Sequence, residues 1–187
     1  NSTVQCIESG VQNIIHGRWF DESDDKAYSF SKEYSKMIVD KGLFVDSTIS
    51  KHLLEYESKL MGEKQRASNP NVKSEPTLES IINIFRYLDS EGVKIIGALD
   101  MGMSRADFNK AAASAWVHAE WLGFDHWKAI RSITITNAEA LRIEKSKGLI
   151  SEGFDADMVF YNNDPAVNIR NLVFNPSHVI KNGEIIF

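Results

Sequence analysis

The chain has 187 residues, of which 43% are hydrophobic, and this size predicts one domain, or one domain with a small appendage, around a substantial core. The net charge is −5 and no run of Lys and Arg occurs, which argues against nucleic acid or an anionic membrane surface as a partner. A single cysteine excludes an internal disulfide and a thiolate zinc site, and the lack of a signal peptide or of roughly 18 consecutive apolar residues favours a cytoplasmic protein without a membrane span.

The first part of the chain alternates between short apolar strands and amphipathic helices. A helix over 3–9 is stopped by Gly10, and the run VQNIIH at 11–16 predicts a strand. Apolar residues at helical spacing predict the next helix over 26–41, and LFVDST at 43–48 predicts the second strand. This order is that of a βαβ unit, which implies that the two strands are parallel.

A polar stretch separates these elements from a third strand. Residues 52–60 predict a short helix, and 62–76 predict a long loop, since this segment holds one glycine and two prolines. Thr77 is placed to cap a helix whose apolar side chains share one face as far as Leu88. The run VKIIGALD at 93–100 then predicts the third strand.

Helical patterns over 107–122, and from Asp125 to about 142, complete the α/β alternation.

Two polar side chains lie at the ends of the first and third predicted strands. Parallel α/β folds carry their chemistry at the carboxyl ends of the strands. His16 and Asp100 stand at those ends, so they are the candidate functional residues.

The sequence changes character near residue 143. GLISEGFDADMVFY reads as a strand, a turn with glycine and a second strand, and HVIKNGEIIF carries the Asn-Gly signal of a β-hairpin. We therefore divide the chain into a partial (β/α) barrel over 1–142 and a C-terminal β segment over 143–187.

Four stretches resemble the metal-dependent amidohydrolase superfamily. GVQNIIHG is similar to the superfamily's strand-six motif, and GVKIIGALDMG is similar to its strand-eight motif. AIRSITITNAEAL resembles the last barrel helix, while KGLISEGFDADMVFYNNDP and NPSHVIKNGEII resemble the closing β segment. The order and spacing of all four match the C-terminal half of such enzymes, with the greatest similarity to the imidazolonepropionase and Xaa-Pro dipeptidase branches.

The resemblance implies a fold and an activity. The fold is α/β: strands six to eight of a (β/α)8 TIM-type barrel, with a small β appendage. The activity is the hydrolysis of a C–N bond in a cyclic amide, amidine or dipeptide-like substrate, by a water molecule that one or two divalent metals activate, most often zinc. Asp100 corresponds to the general base and a metal ligand. His16 corresponds to a ligand of the second metal in members with two metals, and to a group that hydrogen-bonds the attacking water or the substrate in members with one.

The resemblance also implies that most metal ligands lie outside these residues. The family's His-x-His pair is absent from the 187 residues, and Leu99 replaces the Thr that commonly precedes the strand-eight Asp. We therefore expect the chain to be an incomplete portion of the enzyme and inactive alone. The expected partner that completes the barrel is a missing N-terminal half or a second chain, including a second copy in a homo-oligomer.

Four more residues are candidates for substrate binding because they follow the predicted strands. They are Trp19, Ser47, His52 and Arg105. Each also has a simple structural reading: a loop aromatic that covers the core, a strand-end hydroxyl, or an exposed polar side chain.

Three functions are compatible with the residues. The first is the hydrolase, and the second is a non-catalytic scaffold or binding subunit that keeps the half-barrel without the metal. The third is an unrelated open-sheet α/β module, which three parallel strands of a barrel would exclude.

Overall fold

The computed structural model describes residues 2–17, 19, 21–22, 28–29, 31–49, 78–101, 110–173 and 176–187. The α-helices in these ranges are α1 (Ser2–Ser9), α2 (Glu33–Asp40), α3 (Leu78–Ser90), α4 (Ala113–Val117), α5 (His126–Ser132) and α6 (Ile135–Leu141). A π-helical turn spans His118–Leu122 and a 3-10 helix spans Ile169–Val173. The strands are β1 (Asn13–Ile14), β2 (Asp21–Glu22), β3 (Tyr28–Ser29), β4 (Phe44–Asp46), β5 (Lys94–Ile96), β6 (Met158–Phe160), β7 (His178–Lys181) and β8 (Glu184–Ile185).

The central sheet has three parallel strands in the order β1, β4, β5. Ile14 pairs with Val45, and Val45 pairs with Ile95, so the three strands end at nearly the same level. The helix α2 lies between β1 and β4 in the chain, and α3 precedes β5. The predicted α/β alternation with parallel strands is therefore confirmed.

The core lies between this sheet and the helices. Its centre is built from aliphatic and aromatic side chains that the helices place at helical spacing. The ring of Trp19 packs edge-on against Phe85, with 5.8 Å between the ring centroids. Among the described residues, the largest apolar side chains that are fully buried are Phe85, Ile7, Ile38, Ile49, Leu88, Leu99 and Ile169.

The helix predicted over 26–41 begins later than its apolar pattern indicates. Tyr28–Ser29 is a strand that pairs antiparallel with Asp21–Glu22, and the helix starts only at Glu33. Tyr34 and Ile38 of the predicted apolar face are buried as expected. Strand pairing outside the helix has overridden local helical spacing in the first part of the segment.

The helix predicted from Asp125 to about 142 is interrupted. Asp125 does cap it, since its side chain accepts a hydrogen bond from the Lys128 amide at 2.9 Å. The backbone then leaves helical geometry at Ile133 and Thr134, where the Ser132 carbonyl accepts the N–H of Gly97 at 3.0 Å. A bond to the end of β5 thus replaces a bond within the helix, and two helices form.

The C-terminal segment forms an antiparallel sheet in the order β6, β7, β8. The predicted hairpin is confirmed, with positive φ at Asn182 (51°) and Gly183 (82°), as the turn type requires. Asp157 lies 2.6 Å from Lys147 Nζ and 2.7 Å from Lys181 Nζ, and these ammonium groups lower its pKa. The additional strand predicted before β6 does not form.

Some predicted elements lie outside the described residues. These are the short helix over 52–60, the loop over 62–76 and the Thr77 cap. Within 107–122, the described part is helical from Ala113 and ends in a π-helical turn. None of the helices in the described ranges combines the length and the apolar character needed to cross a bilayer.

Candidate active site

Three residues with unusual backbone geometry lie just beyond the three parallel strands. His16, Thr48 and Asp100 all have positive φ, at 56°, 42° and 55° respectively. This left-handed region is uncommon for residues other than glycine, above all for a β-branched residue such as Thr. Strained backbone of this kind gathers at functional sites, and here it marks the carboxyl edge of the sheet.

His16 and Asp100 face each other across this edge. The Nε2 atom of His16 lies 3.7 Å from Oδ1 of Asp100, and their side chains are 50% and 34% exposed. That distance is longer than a hydrogen bond but short enough for direct electrostatic interaction. The pair is therefore open to solvent and to a ligand.

The other ring nitrogen of His16 contacts Thr48. Nδ1 of His16 lies 3.4 Å from Oγ1 of Thr48. When Nδ1 carries the proton and donates to the hydroxyl, Nε2 presents a lone pair toward the Asp100 carboxylate. Two electron-rich atoms then face each other, an arrangement that a proton or a metal cation between them would stabilise.

The chemistry of these donors fits part of a metal site. Imidazole nitrogen and carboxylate oxygen are zinc ligands, and two ligands that share one tetrahedral zinc ion lie about 3.4 Å apart. No group of three or more His, Cys, Asp and Glu side chains that could hold a metal ion occurs within the described ranges. His16 and Asp100 thus fit as two ligands of a larger set.

A second carboxylate lies behind the pair. Asp46, at the end of β4, is only 2% exposed, and this burial raises its pKa. The amide of Thr48 donates to its Oδ1 at 2.8 Å. The backbone N–H of Thr48, the electrostatic interaction with His16 and the backbone N–H of Ala98 act in the opposite direction on its pKa, whereas Asp100 raises it further.

Ser47, which follows Asp46 in the chain, belongs to a separate set of hydrogen bonds around His118. Ser47 Oγ lies 3.1 Å from Nε2 of His118, and Nδ1 of His118 lies 2.8 Å from Ser132 Oγ. Because Ser132 donates its own proton to the Ala129 carbonyl, it accepts from His118 Nδ1, and Nε2 accepts from Ser47. His118 is fully buried, and burial lowers its pKa to about 3.

The buried histidine makes stability depend on pH. His118 has a lower pKa in the folded chain than in the unfolded chain, so the unfolded chain binds more protons between about pH 6.5 and 3. We expect the free energy of unfolding to fall by about 1.4 kcal/mol per pH unit from this group as the pH drops below about 6. Urea unfolding of the wild type and of His118→Gln over pH 4.5–7.5 measures the contribution.

The glutamine variant provides the comparison that isolates this effect. It is less stable at neutral pH, because the hydrogen bonds of His118 are disturbed, but its stability depends less on pH. Parallel curves for the two proteins between pH 6 and 4.5 would show that His118 does not titrate on unfolding in this way.

The structure describes two of the four residues that were predicted to bind substrate. Trp19 is buried, with its ring close to Gly17 and packed against Phe85, while Ser47 is buried against His118. A substrate contact from either side chain stays a prediction. His52 and Arg105 lie outside the described residues.

Sequence reasoning did not single out Asp46. One signal was available: an acidic residue inside the otherwise apolar run LFVDST. A charged side chain is seldom fully buried without hydrogen-bond partners, so a carboxylate at that position in a buried strand indicates a special environment.

The similarity to known proteins covers the whole chain. The model of the amidohydrolase family matches residues 1–186. A Xaa-Pro dipeptidase with bound methionine in its active site superposes with a TM-score of 0.74 and 25% identity, over 98% of this chain and 41% of that protein. The comparison with curated protein sequences gave no match.

Two further solved structures share the fold. The ochratoxinase of A. niger has a TM-score of 0.71 and 19% identity, over 98% of this chain and 38% of that one. A prolidase in complex with N-methylphosphonate-L-proline has a TM-score of 0.69 and 19% identity, over 99% of this chain and 42% of that one. The chain therefore spans about two fifths of the length of these proteins.

Proposed function

Because this chain belongs to the amidohydrolase family, we propose that it forms the C-terminal part of a metal-dependent hydrolase that cleaves C–N bonds. The substrates are small cyclic amides, amidines or dipeptide-like amides. The dipeptidase and prolidase among the similar structures support the dipeptide-like class. The remaining part of the barrel, from the same polypeptide or from a second chain, supplies the other ligands.

The three parallel strands take defined places in the proposed barrel. We assign β1, β4 and β5 to strands six, seven and eight, and the sheet of β6, β7 and β8 to the small β domain. Parallel order and a common carboxyl edge support this assignment, since (β/α)8 barrels place their active sites at that edge.

The observation that carries the proposal is the facing pair of His16 and Asp100. With Nδ1 held by Thr48, Nε2 of His16 is free to bind a cation together with the Asp100 carboxylate. A divalent cation bound there, which we expect to be zinc, would polarise the scissile carbonyl and lower the pKa of water.

Asp100 moves the proton in the proposed reaction. Its Oδ1 faces His16, which leaves Oδ2 to accept a proton from the attacking water. The same oxygen then delivers that proton to the leaving nitrogen, so the carboxylate acts first as a base and then as an acid. The partial exposure of both side chains allows the substrate to approach them.

Metal removal tests the proposal on the complete polypeptide. Purified protein loaded with zinc is assayed on N-acyl amino acids, Xaa-Pro dipeptides and cyclic amides, with release of a new amine as the readout. We expect hydrolysis of at least one class, loss of activity after treatment with a chelator, and recovery when zinc is restored.

The same assay separates the hydrolase from the non-catalytic scaffold. A scaffold would bind amide ligands without releasing an amine at any metal concentration. Hydrolysis that persists unchanged in metal-free protein would also contradict the proposal.

A further inference from the structure

The buried carboxylate of Asp46 joins two strand ends. Asp46 is the last residue of β4 and pairs in register with Ile96, the last residue of β5. Its side chain is 2% exposed and accepts a hydrogen bond from the Thr48 amide at 2.8 Å, and the backbone N–H of Ala98 also interacts favourably with the carboxylate. One of these donors lies on its own strand end and the other lies beyond the neighbouring strand.

The two N–H groups belong to residues that are connected to His16 and to Asp100, respectively. Thr48 carries the hydroxyl that contacts Nδ1 of His16 at 3.4 Å, so its backbone position sets the orientation of the imidazole. Ala98 lies two residues before Asp100, so its backbone position helps to determine the position from which the Asp100 side chain extends. The side chain of Asp46 is therefore linked to both His16 and Asp100 through short segments of backbone.

The backbone at these points needs such support. Thr48 and Asp100 both have positive φ, a strained conformation that persists only where the surrounding structure holds it. The bond from the Thr48 amide to Asp46 Oδ1, at 2.8 Å, forms a local turn that favours this geometry. A buried carboxylate is itself costly, and its backbone donors offset that cost.

We propose that Asp46 is a positioning residue, whose carboxylate fixes the ends of β4 and β5 so that His16 and Asp100 face each other at the distance a shared divalent cation needs. This inference rests on the proposed function, because it assigns a role within the same site. Second-layer residues of this kind typically change metal affinity by 10- to 100-fold when they are removed.

Two substitutions in the complete polypeptide separate hydrogen bonding from charge. Asp46→Ala removes both acceptor oxygens, whereas Asp46→Asn removes the charge but keeps one acceptor oxygen in the same place. The affinity for zinc ions is measured by competition with a chromophoric chelator. Amide hydrogen exchange at Thr48 and Ala98 is measured in the metal-free protein.

Ser35→Ala is the matched control. It also removes a buried side-chain hydrogen bond, since the Ser35 hydroxyl donates to the Lys32 carbonyl at 2.7 Å, but it lies on α2 and not at a strand end. We expect this control to bind zinc with unchanged affinity.

We expect the two Asp46 substitutions to weaken zinc binding to different degrees. Asp46→Ala weakens zinc affinity at least about 10-fold and accelerates exchange at both amides, while Asp46→Asn has an intermediate effect of about 3-fold. If Asp46→Ala does not fold, the intermediate loss in Asp46→Asn supports the inference by itself. Unchanged affinity in Asp46→Asn, or equal losses in the two variants, would overturn the role of the hydrogen bonds.

The wild type distinguishes this inference from the proposed function. Wild-type protein that binds zinc, with Asp46 variants that bind it equally well, overturns the positioning role and leaves the proposed function intact. Wild-type protein that binds no divalent cation overturns both.

Discussion

We expect Asp100→Asn to lower kcat of the zinc-saturated complete polypeptide by about 10²- to 10⁴-fold, the range typical of general acid–base catalysis. The amide cannot accept the proton of water or return it to the leaving nitrogen, although it has nearly the shape of the carboxylate. Steady-state hydrolysis on the best substrate of the assay, at saturating zinc, gives kcat and KM separately. We expect the loss in kcat and little change in KM, because the proton is moved only during the reaction.

The control for this substitution is Asp125→Asn. It makes the same chemical change at a carboxylate that caps α5 by accepting the Lys128 amide, and Asn is an equally good capping residue. Activity of this variant should equal that of the wild type. A zinc-saturated Asp100→Asn protein that turns over within threefold of the wild-type rate would remove Asp100 from the mechanism.

We expect His16→Ala to weaken zinc binding by about 100-fold or more, since in the proposed site it removes a ligand and not merely a group that orients a ligand. The Nε2 lone pair disappears from one side of the cation, and the Asp100 carboxylate faces water instead. Elemental analysis of purified protein and competition with a chromophoric chelator measure stoichiometry and affinity.

His178→Ala is the matched control for the loss of an imidazole. His178 belongs to β7 of the C-terminal sheet, where its ring lies edge-on to Phe160 with 6.4 Å between centroids. Zinc content should be unchanged in this variant. Equal stoichiometry and affinity in His16→Ala and the wild type would show that the imidazole is not a ligand.

The parallel strands and the two facing residues were predictable from the sequence. Strands buried on both faces read as unbroken apolar runs, and His16 and Asp100 stand where such runs end. Parallel pairing then brings chain segments more than 80 positions apart to one edge of the sheet, where these side chains lie 3.7 Å apart.

The role of Asp46 was not predictable in the same way. Ala98, beyond the end of the neighbouring strand, lies far along the chain and offers only a backbone N–H, which any residue except proline provides. Neither the residue type nor its spacing along the sequence indicates such a contact. The acidic residue in an apolar run is the one trace it leaves in the sequence.

The interruption between α5 and α6 has a similar origin. Residues 126–141 have helical spacing throughout, yet the Ser132 carbonyl accepts a hydrogen bond from Gly97 and the chain leaves helical geometry at Ile133 and Thr134. The glycine permits this approach, because a Cβ at position 97 would lie 2.5 Å from Cγ2 of Ile133. Local propensity predicts one helix, and a contact with the sheet makes two.

Anomalous X-ray diffraction at the zinc edge, from crystals of the zinc-loaded complete polypeptide, tests the central claim most directly. We predict an anomalous peak within bonding distance, about 2.0–2.2 Å, of both His16 Nε2 and an Asp100 carboxylate oxygen. A fully occupied zinc peak elsewhere in the protein, with neither side chain bound to it, would contradict the account.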